Sequence, residues 1–298
     1  MTSEDAEWDL KRCLRCAAWI PRPATVCAYC GTSSPDTPID VRPARNALGL
    51  PRSVTATKIL IAVNVVYFLW SLYVQFTWTP KENPLRALVT GYGLGDGLRH
   101  AGGYMHDRVV TGGEWWRVVT ATFLHGGLLH IALNMFALRN LGTVAEEILG
   151  STKYLVVYLV SGICSTLAVS LWFAGILRQE PYFMVGASGA VFGVGGFLAA
   201  FLLKRGTEAG RRMGASLARD LGLMLVLGLV LDFVSNTGHV GGLVPGVLFG
   251  LTLHDSFSTR VSPQARRNWF LLALLLVVLA IAALVRGVGF SLQHLGAG

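Results

Sequence analysis

Residues 154–174, YLVVYLVSGICSTLAVSLWFA, run for 21 positions without a Lys, Arg, Asp or Glu. A helix over them would be about 30 Å long at about 1.5 Å per residue, the thickness of a bilayer's hydrocarbon core. Residues 59–76 and 268–285 are equally plain spans. Four less uniform stretches, about 116–138, 187–203, 217–234 and 238–254, are interrupted by polar or small residues, as buried functional membrane helices often are. With 53% hydrophobic residues, 14% charged and a mean hydropathy of +0.53, the chain reads as an all-α polytopic membrane protein with seven spans.

The net charge of +8 does not point to nucleic acid, because the basic residues fall in short clusters between apolar runs. Arg42, Arg45, Arg52 and Lys58 precede the first span, and Lys204, Arg205, Arg211 and Arg212 follow the fourth. The positive-inside rule puts both groups, and so the N-terminus, in the cytoplasm of a cell-membrane protein, and seven spans put the C-terminus outside. The first 57 residues have no apolar signal-peptide core, so the first span is expected to act as the insertion signal. Segment 78–115, long and carrying Trp78, Tyr92, Tyr104 and Trp115, is expected to have structure of its own at the outer interface.

With this topology spans two, four and six all run from outside to inside, and each carries polar residues in its outer part. His125, His130 and Asn134 lie in span two, Ser188 opens span four and His239 opens span six. Gly186-Ala187-Ser188-Gly189 puts a hydroxyl at a helix start, where free N–H groups and the positive end of the dipole favour an oxyanion. His239 is followed by Gly242, Gly246 and Gly250, a small-residue stripe that lets a neighbouring helix come close enough for a serine–histidine pair. His130 and Asn134, four apart, share a helix face from which both can donate to one oxygen. His125 lies about 140° around the helix from His130 and fits a polar network between helices better than direct chemistry.

Jointly, G-E-W-W-R at 113–117, H-x4-H-x3-N at 125–134, G-A-S-G at 186–189 and H-x2-G-x3-G at 239–246 resemble the rhomboid intramembrane proteases. Leu141-Gly142 followed by Glu146 and Gly150 resembles the family's turn after the second span. The resemblance implies a six-helix core at 58–255, with residues 256–298 adding a loop and a seventh helix. It implies Ser188 as nucleophile and His239 as base, with His130 and Asn134 joining the Ser188 N–H in the oxyanion hole. No cofactor is implied for catalysis. Gly186, Gly189, His125, Asn236, Glu114 and Arg117 become supporting residues, and Phe192 stands where the family commonly has a tyrosine stacked on the histidine. Pro245 inside span six is expected to kink it. The implied substrates are other membrane proteins, cut in or near their transmembrane helices within the lipid bilayer.

The tail carries Cys13-x2-Cys16 and Cys27-x2-Cys30, a spacing that suits one zinc held by four thiolates in a ribbon-like module over 1–34, joined to the bundle by a Pro-rich linker over 35–57. Two disulfides or a redox pair also fit the four cysteines. The zinc would staple a segment too small for an apolar core, and the module's other expected role is to dock a cytosolic partner. Two further functions fit parts of the sequence. A catalytically silent relative would bind membrane helices without cutting them. A membrane metal protein would use His125, His130 and His239 as ligands, although H-E-x-x-H is absent and Asp232 is the nearest carboxylate.

Overall fold

The computed structural model describes residues 10–13, 19–21, 23–27, 31, 33, 56–78, 88, 95–172, 183–204, 208–231, 234–253 and 262–295. The chain divides into two compact units, Met1–Val54 with Asp255–Val261, and Thr55–His254 with Ser262–Gly298. In the first, β1 (Leu10–Arg12) pairs antiparallel with β2 (Trp19–Pro21), and Cys13, Ile20 and Cys27 are buried together. The other two expected zinc ligands, Cys16 and Cys30, lie outside the described residues, as does the linker except for Ala56 and Thr57.

The second unit is helical: α1 (Ala56–Trp78), α2 (Gly95–Ala101), α3 (His106–Val110), α4 (Arg117–Thr120), α5 (Leu128–Ser170), α6 (Ser188–Lys204), α7 (Glu208–Leu227), α8 (Asn236–Thr252) and α9 (Pro263–Leu295). Two short strands, β3 (Tyr104–Met105) and β4 (Phe183–Met184), pair antiparallel. Helices α1, α5 and α9 are long and apolar enough to cross a bilayer, and α6 is a shorter apolar helix. The chain is a multi-pass all-α membrane protein. The seventh helix, placed by sequence in a separate C-terminal segment, packs within the same unit as the rest of the bundle.

Four spans differ from the expected bounds. Span two is not one helix: α4 passes into a 3-10 turn at Ala121–Phe123, and Gly127, at φ 132°, allows the chain to turn before α5 begins. Spans two and three share α5, which is divided at Gly150, where φ is 74° and ψ is 156°. Span five starts earlier, at Glu208, because the charged residues at its start lie on exposed positions and Glu208 pairs with Arg212 one turn on. Span seven extends to 33 residues.

Helix α6 is the centre of the bundle. Its residues from Gly189 to Phe201 are all buried, which fits a helix apolar and glycine-rich on every side. Its 17 residues make it about 25 Å long, at the short end of what can cross a hydrocarbon layer of about 30 Å. Around it pack α7, α8 and the second part of α5, residues 151–170.

Glu146 holds the start of α1. Its carboxylate accepts from the Ala56 and Thr57 backbone N–H groups at 2.8 and 2.9 Å, from Thr57 Oγ1 at 2.7 Å and from Ser151 Oγ at 2.6 Å. The first N–H groups of a helix have no intrahelical acceptor, and an anion at that end also meets the positive end of the dipole. One side chain thus ties α1 to both parts of α5 across the Gly150 break. Replacing Glu146 by Ala should lower unfolding stability in detergent by about 2–3 kcal/mol, with Gln costing less, as read from denaturant titrations.

Candidate active site

Ser188 is the first residue of α6, and His239 lies in the first turn of α8. They meet because almost nothing stands between their helices. A methyl group on Gly242 would overlap the Gly189 carbonyl, and one on Gly246 would overlap the Gly193 carbonyl. The other side of α6 is equally tight: Gly189 faces Ser165 and Gly193 faces Ser161, four residues apart on α5. Small residues let three backbones converge, the form of packing that holds helices together where lipid removes the hydrophobic drive. Pro245 does not end α8. The helix continues through it to Thr252, and the close contacts at Gly242 and Gly246 survive on either side.

Ser188 Oγ lies 2.9 Å from His239 Nε2. With the hydroxyl donating to Nε2, the neutral ring carries its proton on Nδ1, which has no hydrogen-bond partner among the described residues. Phe192, one turn beyond Ser188, orients the imidazole instead. The two rings are stacked, with centroids 4.1 Å apart and planes 11° from parallel. The histidine is therefore held by a flat apolar surface and by its contact with the serine.

His130 faces the same space. The Gly126 N–H donates to its Nδ1 at 3.2 Å, which places the proton of the neutral ring on Nε2. A methyl group on Gly186 would lie 3.0 Å from His130 Nε2 and 3.7 Å from Ser188 Oγ. Gly186 itself has φ 136°, a conformation that other residues rarely adopt, so glycine is needed here for both backbone and space. The N–H groups of the first turn of α6, Ser188's among them, have no intrahelical acceptor. A ring N–H and a helix N-terminus thus border the Ser188 hydroxyl, an arrangement able to stabilise negative charge on an oxygen placed there.

The other expected residues take more distant places. The Asn134 amide nitrogen donates to the His130 carbonyl at 2.9 Å, which leaves its second N–H for another acceptor. His125 is fully buried and edge-on to His130, with centroids 5.2 Å apart. Neither of its ring nitrogens bonds a side chain among the described residues, and its ring packs against that of His130. Asn236 donates to the Leu225 carbonyl at 3.0 Å and so ties the start of α8 to α7. Arg117, buried, bonds Glu114 and the Gly103 carbonyl and lies over Trp116, away from the serine–histidine contact. No three His, Cys, Asp or Glu side chains converge among the described residues, so the three histidines offer no ligand cluster.

Two features were not read from the sequence. Ser161 and Ser165 press on the glycines of α6, and their four-residue spacing is itself a small-residue packing signal. Ser235 caps α8 by accepting from the Gly238 N–H at 3.2 Å, and a serine just ahead of the helix is the matching signal.

The chain has recognisable relatives. A family profile described as the rhomboid domain matches residues 112–256. Rhomboid protease GluP of Bacillus subtilis is 32% identical over 189 residues, covering 62% of this chain and 34% of that protein. The mitochondrial RHOMBOID-like protein 6 of Arabidopsis thaliana is 31% identical over 182 residues, with 60% and 55% covered. A second Bacillus subtilis rhomboid protein, YdcA, is 30% identical over 165 residues, with 55% and 72% covered. The chain spans from about a third to just over half the length of the first of these relatives.

The glycine contact yields a direct expectation. Gly242→Val should force α8 away from α6 and slow reaction of Ser188 with a fluorophosphonate by about 100-fold, the scale on which misplacement of a reacting group by about 1 Å acts. Leu248→Ala, on the exposed side of α8, should leave the rate unchanged.

Proposed function

Because the chain belongs to the rhomboid family, we propose that it is an intramembrane serine endopeptidase, hydrolysing peptide bonds in or near the transmembrane helices of other membrane proteins through a Ser188–His239 dyad. The 2.9 Å contact between Ser188 Oγ and His239 Nε2, inside a bundle of membrane helices, carries this proposal. His239 takes the Ser188 proton as Oγ attacks the scissile carbonyl carbon. The carbonyl oxygen becomes an oxyanion that receives hydrogen bonds from the Ser188 N–H and the His130 Nε2–H, with the free N–H of Asn134 as a third donor. His239 then gives its proton to the departing amine, the C–N bond breaks to release the C-terminal fragment, and an ester joins Ser188 to the carbonyl carbon that ends the N-terminal fragment. A water molecule, losing its proton to His239, attacks that ester, and the proton returns to Ser188 Oγ as the acid leaves. No aspartate is needed in this scheme, because Phe192 supplies the orientation that a carboxylate gives elsewhere.

The N-terminus lies in the cytoplasm in this proposal, and the dyad opens towards the opposite face of the cell membrane. The basic residues Lys204, Arg211 and Arg212, at the opposite end of α6 from Ser188 and at the start of α7, support that orientation. The N-terminal cysteines would hold a structural zinc through Cys13, Cys16, Cys27 and Cys30, and burial of Cys13 and Cys27 in one small cluster suits that role. The folded tail would then be the docking surface for a cytosolic partner.

Reconstituted with a labelled transmembrane peptide, the wild-type protein should release a defined fragment, and Ser188→Ala and His239→Ala should release none. His130→Ala should cut about 100-fold more slowly, the scale of losing one oxyanion donor. Binding of the peptide by wild type without any cut would establish a silent helix-binding protein instead. Metal analysis should find about one zinc per chain, lost in Cys13→Ser with cleavage retained.

A further inference from the structure

We infer that α9 is a positioning element for the nucleophile segment and that Ser291, on its last turns, is the contact through which it acts; this rests on the proposed role of Ser188. The fully buried positions of α9 are all small, Ala273, Ala280, Ala283, Gly287 and Ser291, with Leu276, Val277, Leu284 and Phe290 partly buried beside them, while the opposite side is exposed leucine, valine and isoleucine. In lipid such sorting by size marks a face that packs on protein. The approach is closest at Gly287, where a methyl group would meet the Tyr67 hydroxyl at 2.5 Å.

Near its C-terminal end that face meets the end of α2. The last carbonyls of a helix have no intrahelical donor, and buried ones need partners from elsewhere. Here five successive carbonyls are met by side chains. Arg117 reaches those of Arg99 and Gly103, Tyr67 that of Ala101 at 3.0 Å, and Thr120 that of Gly102 at 2.6 Å. The remaining one, His100, is met by Ser291 Oγ at 2.8 Å, whose single proton lies between this carbonyl and that of Gly287 at 2.9 Å. Phe290 adds ring contacts to Trp116, at 5.4 Å between centroids, and to the Arg117 guanidinium.

From that clamp two short paths lead to Gly186. Gly103 abuts the Phe183 ring, and the next residues form β3, whose Tyr104 and Met105 pair with Met184 and Phe183. Helix α4, which carries Arg117 and Thr120, runs into the 3-10 turn whose Ala121 carbonyl accepts the Gly186 N–H at 2.9 Å. The residues just before Ser188 are therefore held on both sides by parts that α9 fastens together. Ser291 touches none of the reacting groups, so its effect must pass through this loop.

The test is the rate of fluorophosphonate addition to Ser188 in the full-length protein, normalised to folded protein by size-exclusion profile and melting, together with amide exchange at Gly186. Ser291→Ala should slow addition about five-fold, the worth of one hydrogen bond expressed as a rate, Phe290→Ala, which removes the ring contacts to Trp116 and Arg117, should also slow it, and both should speed Gly186 exchange. Leu275→Ala, on the exposed side of α9, should match wild type. Normal addition and normal Gly186 exchange in both variants would overturn the inference while the nucleophile stands. Addition to Ser188→Ala as fast as to wild type, or none to wild type, would overturn the nucleophile and the inference with it.

Discussion

Everything at this site depends on two helix backbones touching. Where Gly242 and Gly246 of α8 meet the Gly189 and Gly193 carbonyls of α6, there is no room for one methyl group. That contact fixes the two helix starts at the separation where His239 Nε2 lies 2.9 Å from Ser188 Oγ. A bilayer favours this solution. Burying apolar surface between helices gains little when lipid is equally apolar, so close backbone approach and interhelical polar contacts have to supply the association. The packing that stabilises the bundle is then the same packing that brings Ser188 and His239 together.

Polar groups within the bundle are fastened in two different ways. At the cradle of the dyad, partners are few: His239 Nδ1 and the Ser161 and Ser165 hydroxyls have none among the described residues. Around the loop that ends α2, by contrast, every carbonyl from Arg99 to Gly103 has a donor, drawn from α1, α4 and α9. The sparse site leaves donors and acceptors for a substrate and water, while the saturated loop beside it fixes geometry. Glu146 does for the start of α1 what those donors do for the end of α2. Helix ends, exposed to water in soluble proteins, are here closed by buried side chains far away in sequence.

Much of this was legible before any coordinates. Spans showed as uncharged runs, and parity in the loops set Ser188 and His239 at one level, because hydropathy and the glycine stripe are both local signals. The stacking of Phe192 on His239 was implied by the family resemblance, which sets an aromatic ring against the histidine at that position. What was not legible depends on long-range contacts. Nothing local marks Ser291 as a donor to His100, 191 positions away. The break before α5 was hidden because Gly126 and Gly127 sit within an apolar run that reads as continuous helix.

The account turns on Ser188 being a nucleophile made competent by His239. Mass spectrometry of peptides from protein treated with a fluorophosphonate tests this most directly. A single phosphonyl adduct on the peptide containing Ser188, absent when His239 is replaced by Asn, is the predicted result. An adduct on another residue, or one formed on Ser188 just as fast without His239, would contradict it.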